Sequence, residues 1–177
     1  MSIAPFLNNL PAWESSVKNK HILFDADAVI SILEYGAVEL CEVFTKLNVT
    51  FCIIHPVYVE LLKTDNPNKR LDRQDFLNQF KFQFLPLTAK EMDKAKDIQA
   101  YLLFSKSYTA SPTDLYLGGR LSTLDSKNIY LFTSNLSDFP MPLYKRDAGI
   151  ILQSAKSSKI LHLLSMNHEE LETISLK

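Results

Sequence analysis

Cysteine is scarce in this chain: among its 177 residues only Cys41 and Cys52 are cysteines, and both lie in apolar runs. A disulfide framework is therefore not indicated, and reduced core thiols are the simpler account. The two have no metal-ligand spacing, and no His–Cys cluster suggests zinc. Charge of one sign is also lacking. The formal net charge is −1, so no global basic field advertises nucleic-acid binding, although an enzyme with a local basic rim is compatible with it. No apolar run reaches the length of a membrane span. The opening residues MSIAPFLNNLPAWESS lack the basic and then apolar segments of a secretory signal. The expectation is a cytoplasmic protein with no membrane partner. There is no GxxxxGK[ST] loop for nucleotide phosphates, no internal repeat and no low-complexity tract.

What is present is ordinary for a globular protein: 46% hydrophobic and 22% charged residues, in a chain long enough for a real core. Residues 1–19, with Pro5 and Pro11, read as an N-terminal arm holding one short helix, with Trp13 as its anchor. Residues 20–177 read as a single domain. Within it, His21–Asp25 is a buried strand without polar alternation. Residues 27–47 are helical, broken at Gly36. Val49–Ile54 is a second buried strand, and a helix follows from Pro56. The polar, basic segment KTDNPNKRLDR at 63–73 reads as a loop, with a short helix at 74–80. Residues 81–87 alternate as an edge strand. Thr88 and Glu91 form a capping box for a long helix reaching about Lys106. Ser111-Pro112 opens another, ending near Leu124. Asn128–Phe132 is a fourth strand. Residues 149–152 and 159–164 pair as a hairpin, and Asn167 caps a final helix. Strands alternating with helices place the chain in the α/β class.

Acids fall where these strands end. Asp25 ends the first strand and Asp27 follows it. Glu60 lies on the helix after the second. Asp114 is in the first turn of the helix at Ser111, on the stripe of Leu117 and Leu121. Asp138 follows the fourth strand. Carboxylates on a core-facing edge repel one another and are costly to desolvate unless paired or bound to a cation. The plainer readings are a helix cap at Asp25 or Asp27, dipole stabilisation at Asp114 and a solvated Glu60. Taken singly, each is as good as a functional one; all four acids at one sheet edge are harder to explain that way.

The segments ILFDADAVIS at 22–31, VYVELL at 57–62, SPTDLYLGGRL at 111–121 and LFTSNLSDF at 131–139 together resemble the PIN-domain ribonucleases, which include VapC-type toxins. The last segment is the most specific, with Thr, Asn and Asp spaced after a strand. The resemblance implies a three-layer α/β/α PIN-like fold with a mainly parallel central sheet. It implies a metal-dependent endoribonuclease with Asp25, Glu60, Asp114 and Asp138 as the acidic site and Asp25, Asp114 and Asp138 as ligands of Mg²⁺ or Mn²⁺. Thr133 and Asn135 match polar residues that support the acids. Asp27 stands where the family more often has Asn, Ser or Thr, and reads either as an extra acid or as a cap. An RNA substrate, a homodimer and an antitoxin-like protein partner are further implications. The shortest members have no counterpart of the N-terminal arm. The chemistry is compatible: hard divalent cations take oxygen ligands, activate water and neutralise a phosphate's charge.

Lys63, Lys69, Arg70 and Arg73, just past Glu60, are candidates for RNA phosphates, against the simpler reading of a solvated loop. His55 reads as a structural loop residue, and Gly118-Gly119 as a site of close packing. A haloacid-dehalogenase-like phosphatase would also use Asp25 and Asp27 after a first strand. Too little chain follows Thr133 for that family's remaining motifs, and Glu60 and Asp114 would be idle. A non-catalytic PIN-like binding module is the third reading, favoured only where an acid of the site is missing.

Overall fold

A computed structural model describes residues 10–104, 110–123, 128–141 and 143–175. Its centre is a six-stranded sheet in the order β3-β2-β1-β4-β6-β5. β1 (His21–Phe24), β2 (Thr50–Ile54), β3 (Gln83–Leu85) and β4 (Ile129–Thr133) are mutually parallel. β6 (Ser158–Met166) runs antiparallel to β4, and β5 (Tyr144–Gln153) antiparallel to β6. The fold is therefore α/β, with a mainly parallel sheet flanked by helices, and β3 is an edge strand as its alternation and Pro86 predict.

The short apolar runs become strands because both sheet faces are covered. From β1 the chain passes through α2 (Ala26–Glu34) and α3 (Glu39–Lys46) to β2, then through α4 (His55–Leu62) and α5 (Pro67–Gln79) to β3. It returns through α6 (Ala89–Phe104) and α7 (Pro112–Thr123) to β4, on the other side of β1. With right-handed crossovers, reversing the direction of travel puts α6 and α7 on the opposite face from α2–α5. The reversal opens a crevice between the carboxyl ends of β1 and β4, the position where such sheets bind ligands.

The helix signals act as the sequence predicts. Gly36 takes φ 61° between α2 and α3, a conformation that costs glycine little. Thr88 N–H donates to Glu91 Oε2 at 2.8 Å and Glu91 N–H to Thr88 Oγ1 at 3.4 Å. α1 (Leu10–Val17) is tied down by Trp13, edge-on to Phe44 at 5.5 Å. On the α2–α5 face, Phe24 packs against Phe51, Phe82 and Phe132 at 5.0–5.6 Å between ring centroids. On the other face, the close approach of α7 to α6 requires Gly119, where a Cβ would overlap the Glu91 carbonyl.

Two expectations are corrected. The loop expected over 63–73 extends only to Asn66, and α5 runs unbroken from Pro67 to Gln79. Asn66 Oδ1 accepts from the amides of Asn68 and Lys69 at 3.0 and 3.3 Å, and Pro67 occupies the first turn. Polar composition hid a helix start that Asn-Pro encodes. The C-terminal hairpin is longer than expected, starting at Tyr144 and bulging between Arg146 and Ala148. α8 (His168–Ser175) follows it. The expected ends of α6 near Lys106 and α7 near Leu124, and the arm before Leu10, lie outside the described residues.

Candidate active site at the crevice between β1 and β4

Asp25 is the first residue beyond β1, and its N–H donates to the Phe132 carbonyl of β4 at 3.0 Å. The residue is only 6% exposed. Thr133, the last residue of β4 and fully buried, donates its hydroxyl to Asp25 Oδ2 at 2.7 Å. Thr133 Oγ1 in turn accepts from the Asn135 amide at 3.0 Å. Asn135 Nδ2 donates to Asp138 Oδ2, and Asn135 Oδ1 accepts from Ser137 N–H at 3.1 Å. The Thr-x-Asn-x-x-Asp spacing thus encodes a relay of hydrogen bonds: strand end, turn and 3-10 turn Leu136–Asp138 link the carboxylates of Asp25 and Asp138.

The other acids approach from the helices. Asp114 Oδ2 accepts from Ser111 N–H at 2.9 Å, and Ser111 Oγ accepts from Asp114 N–H at 3.2 Å. The structural role of Asp114 is thus this capping box, beyond the dipole stabilisation its first-turn position predicts, and it fixes the carboxylate beside the crevice. Its pKa is raised by burial, against the hydrogen bonds of Ser111, with Asp138 and Glu60 adding repulsion. Asp25 is pushed up to about 7, chiefly by burial, against the Thr133 hydrogen bond, with Asp27 and Asp114 contributing repulsion. These mutual influences place Asp25, Asp27, Asp114, Asp138 and Glu60 in one electrostatic neighbourhood. Glu60 is exposed on α4, and Asp27 is exposed in the first turn of α2. Asp25 occupies the N-cap position of α2 without a capping hydrogen bond from its side chain.

Among the described residues no Lys or Arg pairs with any of these acids; the ion pairs found are Lys94–Asp97, Lys96–Asp93 and Arg120–Glu91. Nor, among the described residues, do three His, Cys, Asp or Glu side chains close into a ready metal cage. The donor chemistry suits a hard divalent cation. Hard divalent cations take oxygen ligands of this kind, and a buried carboxyl whose ionisation is opposed by burial and by neighbouring acids is what a cation would relieve.

No family model matches the chain, and no curated protein does. Among solved structures, one match is the crystal structure of VapBC2 from Rickettsia felis bound to a DNA fragment from their promoter. It has a TM-score of 0.50 and 18% identity, and covers 69% of this chain and 93% of that chain. The likeness is one of fold. It accords with the layered α/β architecture described above, and the chemistry rests on this chain's own residues.

One residue near the site, Tyr144, carries no sign of its place in the sequence. Tyr144 is fully buried, edge-on to Phe139 at 5.3 Å, and its pKa is raised by burial and by Asp114. Its hydroxyl lies where a Cβ on Gly118 would stand. Gly118 therefore admits a phenol rather than a neighbouring backbone, and a glycine inside a helix was the one available signal. Ser111 holds Asp114; its sequence role as N-cap was visible, its partner was not.

The basic candidates sit on and beside α5. Arg73 Nη1 donates to the Leu61 carbonyl at 2.5 Å and Arg70 Nη2 to the Thr64 carbonyl at 2.9 Å. Both guanidiniums thus tie the α4–α5 connection. Lys63 and Lys69 are exposed. No helix among the described residues is long and apolar enough to cross a membrane.

Proposed function

We propose that this protein is a Mg²⁺- or Mn²⁺-dependent endoribonuclease of the PIN type. The observation that carries the reading is Asp25: a buried carboxyl at the sheet's crevice, surrounded by further acids and by no paired cation among the described residues. Such an arrangement weakens the apo protein and becomes favourable once a divalent ion is bound. Asp25, Asp114 and Asp138 would hold that ion, which supplies positive charge against the phosphate and makes water more acidic. Glu60, exposed at the mouth, is a further ligand or orients the attacking water. Thr133 and Asn135 fix the directions of Asp25 and Asp138. Asp27 adds to the negative field that raises Asp25.

The deciding experiment is an assay of purified protein on single-stranded and structured RNA with Mn²⁺, with EDTA, and with Asp25→Asn and Asp114→Asn. Cleavage should need the metal and both acids. Cleavage that survives EDTA, or persists in both variants, sinks the assignment. Release of phosphate from a small monoester without RNA cleavage would instead support the phosphatase reading; RNA binding without any cleavage would support the binding module. The resemblance to VapC-type toxins also supports a homodimer and a small antitoxin-like partner. Light scattering at high concentration tests the first; co-purification with a small protein encoded beside this one tests the second.

A further inference from the structure

The C-terminal hairpin brings a cation to the flank of this acidic crevice. Thr133 of β4 pairs directly with His162 of β6, and His162 pairs directly with Gly149 of β5. Residues directly opposite in an antiparallel ladder project to the same face. The Thr133 side chain that holds Asp25, the His162 imidazole and the open space above Gly149 therefore form one row across the sheet. That space is filled. The Arg146 guanidinium, reaching back from beyond the bulge at Asp147, occupies the position a Cβ on Gly149 would take.

Arg146 makes no ion pair among the described residues, neither with its bulged neighbour Asp147 nor with any other acid. His162 beside it is 6% exposed, with its Nδ1 buried and without a hydrogen-bond partner. Burial and the Arg146 charge lower its pKa to about 4, so the imidazole is neutral and Arg146 is the cation of the row. Adjacent strands lie about 4.8 Å apart, so the guanidinium stands two strands, on the order of 10 Å, from Thr133. That is further than a single phosphate bridges to the carboxylates.

We propose that Arg146, berthed over Gly149, binds a backbone phosphate of an RNA single strand, next along the strand from the phosphate being cut. A planar guanidinium matches a phosphodiester's paired oxygens. A crevice of uncompensated acids repels a polyanion, and a cation at its flank gives the strand a direction across the sheet: Asp25, Thr133, His162, Arg146. This assignment rests on the ribonuclease reading above.

The test is fluorescence anisotropy of a labelled oligouridine single strand against salt concentration, in EDTA, where binding is read without cleavage. Wild type should bind, and Arg146→Ala should weaken binding five- to tenfold at low salt. The variant should also reduce the slope of log K against log salt by about 0.7, the value for one phosphate contact on a single strand. Gly149→Ala keeps the charge but fills its berth, and should weaken binding as well. Both positions are exposed, and unchanged circular dichroism would show that the variants fold. If wild type and Arg146→Ala bind with equal affinity and slope, the inference is overturned, whether or not the protein cleaves RNA. If binding depends on Arg146 but no Mn²⁺-dependent cleavage is seen, the phosphate contact stands and the ribonuclease reading falls. No binding either by wild type or by Asp25→Asn, in which one acid of the crevice is neutral, overturns the contact.

Discussion

Thr133 donates its hydroxyl to Asp25 across 2.7 Å, joining the ends of two adjacent parallel strands. The same hydroxyl oxygen accepts from Asn135, whose side chain reaches Asp138. A buried carboxyl is thus fixed in direction while its burial and its acidic neighbours oppose ionisation. Direction without charge compensation is what a cation site needs before its ion arrives.

Asp25→Asn should abolish RNA cleavage and raise the stability of the metal-free protein at pH 7.5 and above. The sign follows from linkage. With its folded pKa raised from 3.8 to about 7, Asp25 binds its proton more tightly in the native state than in the unfolded one. Stability should fall as pH rises from about 4 to about 7 and then level off, with a total loss of ~4 kcal/mol at most. The asparagine variant should lack this decline. Thermal melts of both proteins from pH 4 to 9 in EDTA are the measurement; parallel curves would contradict the assignment.

Mn²⁺ should compete with protons for the site. Binding requires ionised Asp25 and Asp114, both shifted upward. Affinity should therefore rise with pH until about 7 and flatten beyond it, with protons released into the buffer below that point. Calorimetric titration at pH 6.5 in two buffers of different ionisation enthalpy reads the release directly.

Thr133→Val keeps the shape and removes the donor. The Thr133 hydrogen bond is the main influence lowering Asp25, so the carboxyl pKa should climb further. A hydrogen bond to a charged group contributes roughly 1.5–3 kcal/mol, which corresponds to at least a tenfold loss in Mn²⁺ affinity. Thr133→Ser should restore most of it. Carboxyl chemical shifts followed by NMR across pH give the pKa, and titration gives the affinity. Equal metal affinity in the valine variant would show that orientation of Asp25 is unimportant.

Much of the fold is legible where one local signal dominates. Short, β-branched apolar runs such as VTFCII read as buried strands, and Thr88 with Glu91 reads as a helix start. Only the C-terminal half of α5 is legible, as a short helix at 74–80; its start at Asn66-Pro67 sits in a polar, charged context that reads equally well as a loop. For the candidate site, the positions of the acids are visible in the chain, but their neighbourhood is not. It depends on β1 lying between β2 and β4, which spacing alone does not fix. The link from Thr133 through Asn135 to Asp138 is local and readable. The row from Thr133 to Gly149 is not, because it depends on the register between strands far apart in the chain.

The basic residues after α4 separate into two kinds, and a paired experiment distinguishes them. Arg73 is half-buried, and its guanidinium caps the Leu61 carbonyl in the last turn of α4, a backbone acceptor with no helical partner beyond it. Arg73→Ala should cost on the order of 1–2 kcal/mol, lowering Tm by roughly 2–8 °C for a chain of this size. Lys69 is exposed in the first turn of α5, and its backbone, not its side chain, meets Asn66. Lys69→Ala should leave Tm unchanged within about 1 °C. If α5 borders the RNA, the same variant should lower the salt slope of binding by about 0.7. Differential scanning fluorimetry and anisotropy on both variants give four readings. A loss of Tm in Lys69→Ala, or none in Arg73→Ala, would contradict this division. An unchanged salt slope in Lys69→Ala would remove α5 from the RNA path and leave Arg146 on β5 as the cation beside the crevice.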